Sequence, residues 1–245
     1  MEAWKERTVM LIGADAAARL AGATVVVAGL GGVGGMAAEM LARAGVGHLV
    51  LIDADTVSET NINRQLPALH STVGRPKAEV VAARLQDINP ALKLDLVQQY
   101  LTEDSIPSVL DRFAPRAVVD AIDTLSPKIA LIRYCLARGL FLVSSMGSGA
   151  KFDSTAVRIA DISRTKECPL ARMLRKRLHK FGITEGFLAV YSAEKPVKES
   201  VVLEESRNKK SQTGTISWMP ASFGIACAQA AVLEIAALAE PGPEL

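Results

Sequence analysis

The chain has 245 residues, of which 49% are hydrophobic, 22% charged and only 4% aromatic, and its formal net charge is +2. That length suits one large α/β domain or a domain with an elaborated tail, and the near-neutral balance excludes a polycation, so contact with nucleic acid would need a local patch. Cys135, Cys168 and Cys227 form no CxxC pair, which argues against a disulfide framework and a thiolate zinc site and fits a reducing, cytoplasmic setting.

Met1 to Arg7 has no apolar core of the kind a signal peptide needs. TVVVAG (24–29) reads as a strand, Val33 to Ala44 as a helix and HLVLID (48–53) as a second strand. A long loop comes next, then a helix from Pro76, a residue suited to the first helical position, which stops at Asn89-Pro90. LDLVQQY, RAVVDAID, a helix near Lys128 to Arg138 and LFLVSS continue the alternation. The pattern predicts an α/β, Rossmann-like, doubly wound and mainly parallel sheet with helices on both faces, whose ligands sit at the carboxyl ends of the strands. Beyond Gly149 the character shifts to a C-terminal β/α extension. Residues 151–163 read as strand, 166–180 as a very basic helix, FLAVYSA as strand and Ser192 to Ser217 as a polar, charged loop. We therefore expect a single domain over 1–245, with a nucleotide-binding half over about 1–149 and a substrate-binding extension over about 150–245. Ser222 to Ala239 approaches the length of a membrane span, but it carries Gln229 and Glu234 and much of its apolar content is alanine, so a buried or dimer-face helix is expected rather than a span.

Gly29-Leu30-Gly31-Gly32-Val33-Gly34 fits the dinucleotide fingerprint, in which glycines let the backbone turn tightly against phosphate at a helix N-terminus. Asp53 ends the next strand, where a carboxylate can bond ribose hydroxyls. The residues after Asp53 separate the candidate nucleotides. An NAD site needs no further phosphate-binding cations, yet Asn61, Asn63 and Arg64 lie in the loop leaving that strand and Lys77 begins the next helix. Asp123 falls at the same sheet edge. Two cations and an acid converging on a phosphate turn suit a nucleoside triphosphate with Mg²⁺, Arg64 and Lys77 balancing its charge and Asp123 holding the metal.

GLGGVG, DADTVSETNINRQ, VGRPKAE and DAIDTLSPK resemble the adenylation domain shared by ubiquitin-activating enzymes and their bacterial ThiF-type relatives in molybdopterin and thiamine synthesis. The resemblance implies that Gly29, Gly31, Gly32, Gly34, Asp53, Asn61, Asn63, Arg64, Lys77 and Asp123 bind ATP and Mg²⁺. It further implies that Arg7 reaches the phosphates of a neighbouring subunit, hence a homodimer with composite sites. Arg64, Lys77, Asp123 and Arg7 would be the catalytic set.

The run from LFLVSSMGSGAKFD to TKECPLARMLRKRLHKFGI is similar to the branch of this family that dehydrates threonylcarbamoyl-adenosine beside the tRNA anticodon. That resemblance implies adenylation of the substrate carboxylate and ring closure by a carbamoyl heteroatom with loss of AMP, without an enzyme thiol. It leaves room for a monovalent cation and for a sulfur-transfer partner of the cysteine-desulfurase type. Arg172, Arg175, Lys176, Arg177 and Lys180 crowd one helix whose apolar Leu170, Met173, Leu174 and Leu178 can bury its other face, which makes them candidates for binding tRNA phosphates. Arg207-Asn208-Lys209-Lys210 is a further basic cluster. Cys135 and Cys227 read as core residues and Cys168 as the more exposed thiol. Two other readings stand beside this one: adenylation of the C-terminal glycine of a ubiquitin-like sulfur carrier, and a nucleotide-binding module without turnover.

Overall fold

The computed structural model describes residues 2–203 and 211–238. In chain order the elements are α1 (Glu6–Ile12), α2 (Ala14–Ala21), β1 (Thr24–Ala28), α3 (Gly32–Ala44), β2 (His48–Ile52), α4 (Lys77–Ile88), β3 (Lys93–Val97), α5 (Ser105–Leu110) and β4 (Ala117–Asp120). Next come α6 (Leu125–Ala137), β5 (Phe141–Ser145), β6 (Val157–Asp161), α7 (Pro169–Leu178), β7 (Leu188–Ser192), β8 (Val201–Leu203), β9 (Ser211–Thr213) and α8 (Trp218–Ala236). Seven strands form one sheet in the order β3-β2-β1-β4-β5-β7-β6, parallel throughout except that β6 runs against β7.

β1 shows why this sheet has helices on both sides. Successive side chains of a strand point to opposite faces. Val25 and Val27 pack with Leu20, Leu41 and Phe223 from α2, α3 and α8, while Val26 and Ala28 pack with Leu131 and Leu174 from α6 and α7. A strand buried on both faces needs a continuous apolar run rather than an alternating one. Strand order reverses between β1 and β4, which opens a crevice at their carboxyl ends.

α8 is long and apolar enough to span a membrane by length and composition, but Met219, Phe223, Cys227 and Ala231 are buried in the core. A Cβ placed on Gly224 would stand 2.4 Å from the Val33 carbonyl, so α8 and α3 meet almost backbone to backbone, which accounts for the small residues along this helix. It begins four residues earlier than its composition indicates, because Pro220 sits in the first turn, where a missing N–H costs little. Pro76 is the N-cap of α4 rather than its first helical residue. The stretch read as a polar loop contains a short antiparallel pair, Val201 opposite Thr213 and Leu203 opposite Ser211. Helix α1 has no buried residue and α2 only Ala16 and Leu20, too few to announce themselves in the apolar pattern, and α5 is only six residues long.

Candidate active site

The glycine turn lies in the crevice between β1 and β4. Gly29 has φ +87°, and a Cβ there would stand 2.8 Å from the Ala121 carbonyl oxygen at the end of β4. A Cβ on Gly34 would stand 1.7 Å from the Gly29 oxygen, so the turn closes only without a side chain. At Gly31 the nearest atom to such a Cβ is Gln65 Nε2 at 3.6 Å. Gly31 is the N-cap of α3 and supplies no side chain to its first turn, leaving the amide-rich, positive end of the helix facing the crevice.

Asp53 locks the turn to the neighbouring strand: its Oδ2 accepts the Leu30 N–H at 2.6 Å and its Oδ1 the Asp55 N–H at 2.8 Å. Burial pushes the Asp53 carboxyl above its ordinary range, and these amides together with Lys77 pull it partly back. Lys77 is buried, and its Nζ donates to Asp55 Oδ2 at 2.9 Å while its backbone N–H donates to the Asp55 carbonyl. The Tyr100 hydroxyl donates to the other Asp55 oxygen at 3.0 Å, and this bond raises its pKa, with the charges of Asp55, Asp53 and Asp123 adding to the effect. The three carboxylates therefore face one region. Arg64 lies there too: burial draws its pKa down and the charge of Asp123 opposes that. Its guanidinium donates to the Thr60 carbonyl and to Asn63 Oδ1, both at 2.9 Å. Asn63 Nδ2 donates to the Thr215 carbonyl at 3.3 Å, and Asn61 Oδ1 accepts the Ser58 N–H at 3.2 Å. The fold thus gathers Asp53, Lys77, Arg64, Asn63 and Asp123 at the glycine turn. It adds Asp55 and Tyr100, which sequence reasoning did not single out. The DAD repeat at a strand end was the available signal for Asp55.

Gln65 is buried against Gly31, yet its Oε1 has no hydrogen-bond partner, and neither has the buried hydroxyl of Thr215. Unpaired polar atoms beside a helix N-terminus suit a polar ligand better than an empty packing gap. Among the described residues no three acidic, histidine or cysteine side chains converge as a metal cage. Mg²⁺ is usually held by one or two carboxylates plus substrate phosphates, so the oxygen donors here suit it only together with a nucleotide.

Beneath the cleft is a buried ion pair. Lys128 Nζ donates to Asp120 Oδ2 at 2.7 Å, the Ser144 hydroxyl donates to the same oxygen at 2.6 Å, and all three residues are fully buried. Asp120 Oδ1 accepts the Ile122 N–H, fixing the loop that carries Asp123.

Other expected residues lie elsewhere. Lys5 Cε is 4.0 Å from where a Cβ on Gly45 would stand, at the far end of α3, and thirteen helical residues span about 20 Å. Arg7, two residues on in α1, is exposed. On α7, Arg172, Lys176 and Arg177 are exposed, as is Lys180 just beyond it. Arg175 is half-buried and donates to the Thr165 carbonyl and hydroxyl, so it braces the preceding loop. Ala171, Leu174 and Leu178 form the buried face, while Met173, expected there, is exposed because the Ala171 position takes the core-facing side of that turn. Cys168 is buried at 5% exposure, not the accessible thiol its place before Pro169 indicated. Cys135 and Cys227 are fully buried, and burial pushes both thiols up to about 12. The Arg207 to Lys210 cluster lies outside the described residues.

Comparison with known proteins agrees with this fold. The ThiF family matches residues 5–241. The tRNA threonylcarbamoyladenosine dehydratase of Bacillus subtilis is 43% identical over 203 residues, 83% of this chain and 78% of that protein. The Escherichia coli enzyme of the same name is 42% identical over 75% of this chain and 70% of its own length. The crystal structure of the E. coli dehydratase with ATP superposes with a TM-score of 0.88 at 36% identity, covering 97% of this chain and 96% of that one.

Proposed function

The chain belongs to the ThiF family, and from that premise we propose that it dehydrates N6-threonylcarbamoyladenosine in tRNA with consumption of ATP, by adenylating the threonyl carboxylate. The observation that carries this reading is the convergence of Lys77, Arg64 and Asp123 on a glycine turn whose helix N-terminus faces the crevice. A NAD site has no use for that set of charges.

In the reaction the carboxylate oxygen attacks the α-phosphorus of ATP, forming the acyl-adenylate and releasing pyrophosphate. A carbamoyl heteroatom then attacks the activated carbonyl, closing the ring as AMP leaves. The nucleophile belongs to the substrate, which suits a chain whose thiols are all buried. The amides of the glycine turn and the α3 N-terminus take phosphate oxygens. Asp53 takes the ribose while holding the turn through Leu30. Lys77, kept in place by Asp55, stabilises charge at the α-phosphate, and Arg64 the leaving pyrophosphate, with Asn61 and Asn63 shaping the loop between them. Asp123 would hold Mg²⁺, which when bound would neutralise phosphate charge.

The working form is a homodimer. The resemblance to the family brings Arg7 to the phosphates of a neighbouring subunit, and near it Met10 and Leu11 are 79% and 85% exposed, an apolar surface suited to a subunit contact. The setting is the cytoplasm, where tRNA is modified. The sulfur-carrier alternative is weaker: the E. coli ThiS adenylyltransferase matches 56% of this chain at 34% identity.

The test is mass spectrometry of nucleosides from threonylcarbamoyladenosine-bearing tRNA incubated with enzyme, ATP and Mg²⁺. Wild type should convert the nucleoside with loss of one water mass. Asp123→Ala, a change at an exposed residue, should keep its melting temperature and lose turnover by roughly a hundredfold or more. Near-normal turnover in that variant would remove Asp123 from the mechanism, and absence of any mass loss with wild type would remove the reaction.

A further inference from the structure

We propose that the exposed rings of Phe152 and Trp218 form a stacking platform at the mouth of the nucleotide cleft, taking an unpaired base of the tRNA beside the reacting adenosine. The proposal rests on the reading of tRNA as substrate.

Position comes first. Trp218 opens α8, and two residues later Pro220 Cβ lies 2.8 Å from where a Cβ on Gly32 would stand. Three residues before it, the Thr215 carbonyl accepts Asn63 Nδ2. Trp218 thus lies in the chain between Thr215 and Pro220, two residues that touch the loops around the phosphate turn.

Rigidity comes second. The Trp218 Nε1–H donates to the Phe152 carbonyl at 2.7 Å. The Phe152 N–H is shared by both carboxylate oxygens of Glu194, at 3.1 and 3.0 Å, and the Asp153 N–H joins them at 2.9 Å. The buried Lys151 donates to the carbonyls of Ser192 and Glu194. This small assembly is tied together by its polar atoms, yet Phe152 is 58% exposed and Trp218 45% exposed. A large ring fixed in place and left in water contributes little to the fold and loses little freedom on meeting a flat partner. In a chain only 4% aromatic, an exposed indole anchored on the backbone of a second exposed aromatic residue marks a surface built for contact.

The chemistry of the surroundings selects the partner. Leu170 at the start of α7 packs on Gly147, in the loop leading to Phe152, so the exposed Arg172, Lys176 and Arg177 run outward from the same corner. Aromatic faces beside a stripe of cations are the recurring solution for single-stranded nucleic acid, where bases stack and phosphates meet charge. An anticodon-loop nucleotide offers both.

The chain has two tryptophans, so Trp4→Phe leaves Trp218 as the only reporter. Titration of that variant with threonylcarbamoyladenosine-bearing tRNA should quench the remaining emission, and ATP alone should not. Trp218→Ala and Phe152→Ala should each raise KM for tRNA roughly tenfold with KM for ATP unchanged, while Trp218→Phe keeps most of the affinity. If Trp218→Ala does not fold, Phe152→Ala and the fluorescence titration decide. Unquenched emission with unaltered tRNA KM in a wild-type background that converts tRNA overturns the platform alone. Emission that changes with protein concentration without tRNA overturns it in favour of a second copy covering the rings. Failure of wild type to convert tRNA removes the underlying reading, and the platform with it.

Discussion

The nucleotide cleft and the basic helix α7 are both rich in charge but are built by different rules. In the cleft the candidate side chains are held: Asp53 by two amides, Lys77 by Asp55, Arg64 by Thr60 and Asn63, and the turn itself by glycines that admit no Cβ. On α7, Arg172, Lys176 and Arg177 stand in solvent above a buried face of Ala171, Leu174 and Leu178. Preorganised charge suits a transition state, whose geometry is fixed, whereas solvated charge suits a polyanion that can meet it in many registers. Arg175 marks the boundary, a cation within the basic run that serves the fold through Thr165.

The largest effect should come from the floor of the cleft. Lys128→Met leaves the Asp120 carboxylate fully buried without its ammonium partner, and we expect a loss of about 3–5 kcal/mol in denaturant unfolding. Adding Asp120→Asn should recover part of that loss, because the uncompensated charge is gone. If the single variant is as stable as wild type, the pair is not what holds the Asp123 loop.

A smaller change is expected on the solvated side. Arg172→Glu combined with Arg177→Glu should weaken tRNA binding and flatten log affinity against log salt by roughly 1.5 in slope, with ATP binding and melting temperature unaltered. Adding Arg175→Glu should instead lower the melting temperature, since it breaks the Thr165 brace. An unchanged salt slope in the double variant would make α7 a solvated face and nothing more.

The smallest effect should come from the thiols. With Cys135 and Cys227 pushed up to about 12, neither offers a thiolate at neutral pH, and Cys168 is buried. Replacing all three by Ala or Ser should cost some stability through lost packing, while the folded variant still dehydrates the nucleoside at a rate close to wild type. A folded variant that forms acyl-adenylate but no cyclic product, rescued by restoring one cysteine, would contradict direct ring closure.

The sequence alone determined the parts in which local chemistry leaves little choice. The apolar run of β1, the positive φ of Gly29, the close pass of Gly34 against Gly29 and the acid at the end of β2 belong to one strand–turn–helix–strand unit, so the phosphate turn was legible from residues 24–53, and the doubly wound sheet from the strand–helix alternation that continues to β5. The tertiary structure decided what depends on neighbours far along the chain. The partnership of Lys77 with Asp55 and Tyr100 joins three segments, the burial of Cys168 depends on how α7 docks, and the Asp120–Lys128–Ser144 cluster appears only when β4, α6 and β5 are packed side by side. Periodicity and motif spacing report the conformation of a segment, but which charges become paired and which thiols become buried is fixed by distances across the sheet, which no single segment encodes.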